Sequence, residues 1–250
     1  PPPLFNDTAT TEIYTEDASS AASDVYKRQA GRLPFKKELG ELIAWQSGQL
    51  KKTGVEVILN RPATAKIVRS TRPDAVIFAA GAYPVVPPIP GVDGEKVIGV
   101  MEFHMNEEIV SGSEIAVVGG GLAGCEAALG LAMSGKKVTL LEALTDVALD
   151  INIVNRMSLL RFLAEQEVNV LTGHTVQEIK EDVLMAKDSE GKEISIHADH
   201  IIIAVGMRSN NELVKQLEGI SEELYVIGDS VNPDKVGDAI HSGFVAGLRV

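Results

Sequence analysis

The chain has 250 residues, 45% of them hydrophobic, enough to build a sizeable core in one or two domains. A formal net charge of −12 disfavours nucleic acid and anionic membrane as partners, since both are polyanions, and no apolar run is long enough to span a bilayer, so the expected location is cytoplasmic. The single cysteine, Cys125, excludes an intrachain disulfide, an all-cysteine metal site and a CxxC redox pair within these residues.

Residues 1–29 show no hydrophobic periodicity. Within them, the stretch from Ser19 to Gln29 resembles the in-frame translation of a transposase-based sequencing-library adapter. Asn6 to Thr15 similarly resembles the flow-cell end of that adapter, so this adapter-like segment is expected to be disordered and to stand outside the fold. From residue 34 to 52 the spacing of Leu39, Leu42, Ile43, Gln46 and Leu50 predicts a helix with one apolar face. Gly54 ends it, and residues 55–59 (Val-Glu-Val-Ile-Leu) read as a strand. A short strand over 65–68 is expected to lead into Asp74-Ala75-Val76-Ile77-Phe78-Ala79-Ala80-Gly81. That run is an apolar strand ending in small residues, which let another body approach the backbone. Prolines at 84, 87, 88 and 90 remove ladder donors, so residues 83–91 read as an extended linker.

The next apolar run, Ile115-Ala116-Val117-Val118, enters Gly119-Gly120-Gly121-Leu122-Ala123-Gly124, followed by a helix-compatible stretch to Ser134 and a capping Gly135. Strand, GxGxxG and helix in that order form a dinucleotide-binding pattern. Gly119 permits the tight turn, Gly121 the approach of a diphosphate, and Gly124 close helix–strand packing, while the amides at the helix start face the phosphates. A second strand, residues 137–142, ends at Glu142, where an acid accepts hydrogen bonds from an adenosine ribose and repels a 2′-phosphate. That favours NAD(H) over NADP(H). Cys125 follows Gly124 on the helix and reads as a small packed residue rather than a reactive thiol.

Further along, residues 152–167 predict a helix and 168–171 a strand. Three short strands over 175–180, 183–187 and 192–197 are separated by hairpin-type turns. Residues 199–206 return to the parallel sheet and end in Gly206, 211–217 form a helix, and Leu224 to Asp229 forms another buried strand. A final helix spans about 238–250. His197 and His200 lack the neighbours of a metal site.

Ala79-Ala80-Gly81, the GxGxxG loop, Gly206 and Tyr225-Val226-Ile227-Gly228-Asp229 occur in an order that resembles the two-dinucleotide flavoproteins of the pyridine-nucleotide oxidoreductases. Residues 34–39 and 238–244 narrow the likeness to the C-terminal FAD/NAD(P) module of NADH:flavin oxidoreductases related to 2-enoate and 2,4-dienoyl-CoA reductases. The resemblance implies an α/β fold of two Rossmann-like domains. An NAD(P)-binding domain over 95–210 is inserted in a partial FAD-binding domain over 30–94 and 211–250. It implies that Ala80, Gly81, Gly228 and Asp229 contribute to the FAD site, although Asp229 also reads as a helix-capping residue. The helix beginning near Ala239 would point its N-terminus toward the flavin, where His241 either donates a hydrogen bond or simply packs.

In this family a first FAD glycine loop and a barrel carrying FMN and an iron–sulfur cluster precede the counterpart of Pro34. Neither occurs in these 250 residues, so the resemblance implies a truncated chain with an incomplete FAD site and impaired activity. A homo-oligomer, where one forms, would assemble through that barrel. Small-molecule dinucleotides are the expected partners, with hydride passing from NADH to FAD and onward to an enoate or enoyl-CoA-type alkene in the complete parent. No residue here is expected to act as general acid, base or nucleophile. A stand-alone NADH:acceptor flavin reductase and a non-catalytic nucleotide-binding module remain alternatives.

Overall fold

The computed structural model describes residues 12–14 and 37–250, which separate into two compact units. The inner unit is residues 84–206, and the outer unit comprises the described residues up to Tyr83 together with Met207–Val250.

In the outer unit, β1 (Glu12–Tyr14) pairs in parallel with β2 (Glu56–Ile58). Three residues of the adapter-like segment therefore form a strand, against the expectation that all of it lies outside the fold. The edge of β2 offers unpaired backbone groups, and β-branched Ile13 and aromatic Tyr14 suit an extended partner. The expectations for residues 1–11 and 15–36, including the start of the first helix at Pro34, lie outside the described residues. Helix α1 (Lys37–Lys52) turns Leu42, Ile43, Gln46 and Leu50 inward to partial burial, while Glu41, Ala44, Trp45 and Ser47 are exposed. Helix α2 (Ala65–Thr71) stands where a strand was expected. Thr64 caps it, its Oγ1 accepting the Ile67 N–H at 3.3 Å, and Arg72 ends it in the left-handed conformation just before Pro73.

Strand β3 (Ala75–Phe78) leads to β4 (Ala82–Pro84), which pairs with β13 (Met207–Ser209) where the chain leaves and re-enters the outer unit. Helix α6 is a single turn, Val214–Leu217, shorter than the helix expected over 211–217. Strand β14 (Glu223–Val226) pairs in parallel with β3, and α7 (Val236–Gly247) closes the chain's regular structure.

The inner unit is built on a five-stranded parallel sheet in the order β5 (Val97–Gly99), β12 (His200–Ile203), β6 (Glu114–Val118), β7 (Lys137–Leu141), β8 (Asn169–Leu171). Helices α3 (Val100–Met105), α4 (Leu122–Met133) and α5 (Ile153–Glu165) connect its strands. Helix α3, six residues long, is too short to show a periodic pattern in the sequence. Val117, Cys125, Leu140, Leu163 and Ile202 share one core with the inward faces of α4 and α5. A second core joins Ala116, Leu141 and Ile201 to an antiparallel meander of β9 (Thr175–Lys180), β10 (Val183–Lys187) and β11 (Glu193–His197). The proline-rich segment is no free linker: the Pro90 carbonyl accepts the Ile179 N–H at 2.8 Å, and Ile89 and Val92 pack on this second core. Proline lacks a donor but keeps its acceptor, which suffices to tie the segment to β9.

Candidate functional site

Strand β6 lies between β7 and β12, and the chain reaches β7 through α4, so the C-terminal end of β6 is a topological switch point. The glycine turn sits there. Gly119 donates its N–H to the Leu141 carbonyl at 2.8 Å and has φ +107°, a conformation that favours glycine. A Cβ on Gly119 would lie 2.3 Å from the Ala204 carbonyl oxygen, and one on Gly124 would lie 1.9 Å from the Gly119 carbonyl oxygen. Turn, helix and β12 therefore meet backbone to backbone. Gly121 is different: a Cβ there would find only the Asp150 carboxylate, at 3.7 Å, which leaves its face open for a ligand.

Glu142 stands one residue beyond β7. Its Oε2 accepts the Gly120 N–H at 2.5 Å and its Oε1 accepts the Leu144 N–H at 2.8 Å. The acid placed by sequence spacing beside a ribose thus also braces the glycine turn. Gly120 is held on its other side by Ala148, whose N–H reaches the Gly120 carbonyl at 2.6 Å. Arg156 of α5 secures this covering loop, pairing with Asp146 at 2.5 Å and donating from Nε to the Val147 carbonyl at 2.9 Å. Asp150 follows, both carboxylate oxygens lying 3.2 Å from the Leu122 N–H at the start of α4. Ala123, next along, is partly buried and packs against the core.

Cys125 is fully buried, with Sγ 3.3 Å from the Gly120 carbonyl. Burial first, then the charges of Asp150, Glu126 and Glu142, push its thiol up to about 12 from an ordinary 9.0. This is a packed neutral thiol, and the same charges give the glycine turn a negative surround.

The Gly206 carbonyl accepts the Val85 N–H at 2.9 Å beside β4 and β13. From that segment it is Ala204 that meets Gly119. Ala204, Val147, Ala148 and Asp150 all border the turn and escaped the sequence reading. The left-handed Ala148 (φ 53°) marks the covering loop in the structure, but nothing in sequence spacing does.

In the outer unit, Ala80 and Gly81 follow β3 and are both held by Asn210, which donates from Nδ2 to the Ala80 carbonyl at 3.2 Å and from its backbone to that of Gly81 at 2.9 Å. The Ile227 N–H reaches the Phe78 carbonyl at 3.0 Å, bringing Gly228 and Asp229 to the same strand ends. The Gly228 N–H is capped by Ser242 Oγ at 3.0 Å, and Ala239 lies 3.6 Å from where a Gly228 Cβ would be. His241 is exposed, on a groove between β14 and α7 shared with Tyr225 and Arg249. Ser230 is 1% exposed, and its Oγ has no hydrogen-bond partner among the described residues.

No cluster of three or more His, Cys, Asp or Glu residues suited to a metal ion occurs among the described residues, and no helix there is long and apolar enough to cross a membrane. The NADH oxidase of Thermoanaerobacter brockii is 35% identical over 231 residues, covering 88% of this chain and 35% of that protein. The metal reductase of Desulforamulus reducens is 33% identical, over 86% of this chain and 37% of that protein. The chain thus spans about a third of the length of these relatives. Among solved structures, a 2-naphthoyl-CoA reductase in complex with 2-naphthoyl-CoA superposes with a TM-score of 0.86 and 29% identity, over 97% of this chain and 36% of that one. The pyridine nucleotide-disulphide oxidoreductase model matches residues 14–227, and the chain belongs to that family of FAD- and NAD(P)H-dependent oxidoreductases.

Proposed function

We propose that this chain is the FAD- and NAD(H)-binding module of a longer reductase acting on an enoate or enoyl-CoA-type alkene, with FMN and an iron–sulfur cluster serving the onward electron path outside residues 37–250. The observation that carries the nucleotide part is Glu142, an acid at the end of β7 bonded directly to the backbone of the glycine turn. The likeness to a 2-naphthoyl-CoA reductase over 97% of the chain supports a CoA-thioester class of substrate.

In the inner unit the open face of Gly121 and the α4 amides would receive the diphosphate of NADH, and Glu142 the adenosine ribose. Its second carboxylate oxygen, on Leu144, keeps the side chain aimed while a ribose hydroxyl donates to the remaining lone pairs. In the outer unit, Ala80, Gly81, Gly228 and Asp229 would border FAD, and the buried orphan hydroxyl of Ser230 fits a polar group still to be supplied there. Ala239 and His241 lie at and just beyond the first turn of α7, whose N-terminal positive end favours developing negative charge. When bound, the flavin supplies the two-electron acceptor for the hydride of NADH. These side chains position and polarise, and none is assigned a proton transfer.

Glu142→Ala is expected to weaken NADH binding by tenfold or more, corresponding to about 1.5–3 kcal/mol for a lost charged hydrogen bond, and to relax the preference over NADPH. Fluorescence titration with both coenzymes measures each affinity. A preference unchanged in the variant removes Glu142 from the ribose site.

A further inference from the structure

Asp150 has no part in the reading of the glycine turn as a phosphate cradle, and its position opposes that reading. Its two carboxylate oxygens are equidistant, at 3.2 Å, from the Leu122 N–H, the first amide of α4. The carboxylate also borders the open face of Gly121, 3.7 Å from where a Cβ would project. An anionic group therefore already occupies ground that a diphosphate would take.

This placement is built into the fold. Ala148 is bonded to the Gly120 carbonyl, and the Arg156 pair with Asp146 anchors the preceding residues, so the loop delivers Asp150 to α4. The side chain itself is exposed, and among the described residues no cation pairs with it. It is free to swing away without breaking the core.

We propose that Asp150 is an affinity-setting residue of the dinucleotide site: a resident carboxylate that stands in for the diphosphate and must be displaced when NADH binds. The inference rests on the reading of this turn as the NAD(H) site. A carboxylate favours the positive end of a helix, and a diphosphate brought within a few ångströms of it meets like charge. Each ligand carrying phosphates at this turn therefore binds against the loss of the Asp150 contact. A ligand without them does not. The device keeps coenzyme affinity moderate, which suits a nucleotide that must leave after each hydride transfer.

Asp150→Asn removes the charge and retains an oxygen able to accept the Leu122 N–H, so it separates repulsion from loop structure. Titrating the wild-type chain and Asp150→Asn with NADH, ADP and adenosine is the test. NADH and ADP are expected to bind the variant about fivefold more tightly, and adenosine equally to both. Asp150→Ala should change affinity in the same direction, and raising the salt concentration should shrink the difference. Unchanged or weaker ADP binding in Asp150→Asn overturns the inference, as does an equal gain for adenosine. Wild-type chain that binds neither NADH nor ADP instead overturns the reading of the site itself, so the two failures are distinct.

Discussion

The apolar runs of β3 and β6, Ala-Val-Ile-Phe and Ile-Ala-Val-Val, both lead into glycine-containing turns, yet they meet different surroundings. β6 lies between β7 and β12, and Ile115 to Val118 are all buried. β3 pairs with β14 alone among the described residues, and its Ile77 is 44% exposed. The apolar run of β6 is buried because strands flank it on both sides and its two faces are covered, one by helices and the other by the β9–β11 meander. Both hydrophobic clusters belong to the inner unit, while buried apolar residues of the outer unit are confined to Phe78, Ala82, Leu217 and Ala246 among those described.

The widest gap between the two units should appear on truncating one strand residue in each. Leu140→Ala, at a fully buried position of β7, is expected to cost about 3 kcal/mol, whereas Ile77→Ala should cost about 1 kcal/mol or less. Denaturant unfolding measures both, and similar losses would erase the distinction.

A single tryptophan and a single cysteine fall one in each unit, giving each its own reporter. Trp45 is 55% exposed on α1, and Cys125 is sealed under the glycine turn. With its thiol pushed up to about 12, Cys125 should resist labelling until the inner unit opens, at denaturant concentrations above those that change Trp45 fluorescence. Coincident transitions would mean that the units unfold as one. The same shift has a pH consequence: the fold favours the neutral thiol, so its contribution is intact below pH 9.0 and is lost as pH rises toward about 12. Cys125→Ala should flatten that alkaline decline.

The inner unit was also the more legible in sequence. Hairpin turns and alternating side chains located β9, β10 and β11 to within a residue, because the meander's contacts are local and one face of each strand is buried. The glycine turn and Glu142 were legible for a related reason, since backbone geometry restricts residue choice at a tight turn. Asp150 was not. It reaches α4 through a loop whose course is set by the distant pair of Arg156 and Asp146, and no period encodes that. In the outer unit, β-branched Ile67 and Val68 suggested a strand, and the Thr64 cap prevailed because it supplies an amide partner at the start of α2. Gly206, a separate motif residue in the sequence, ends the same apolar run as Ala204, which no motif marked and which meets Gly119.

The smallest expected effect concerns β1. Removing residues 1–29 deletes its pairing with β2, whose Glu56 and Val57 are themselves exposed, and the midpoint of unfolding should shift by no more than about 0.5 kcal/mol. A larger loss would show that the segment belongs to the outer unit's core.

Gly119, Gly124 and Ala204 crowd one small volume, with carbonyl oxygens standing where side chains would otherwise project. A side chain added at either glycine would push the same turn away from β12, and once it had moved, a second addition would meet less resistance. Mutational costs at these positions are therefore shared rather than summed. The turn between β6 and α4 is thus one steric unit, in which the room available at one residue depends on what stands at the next.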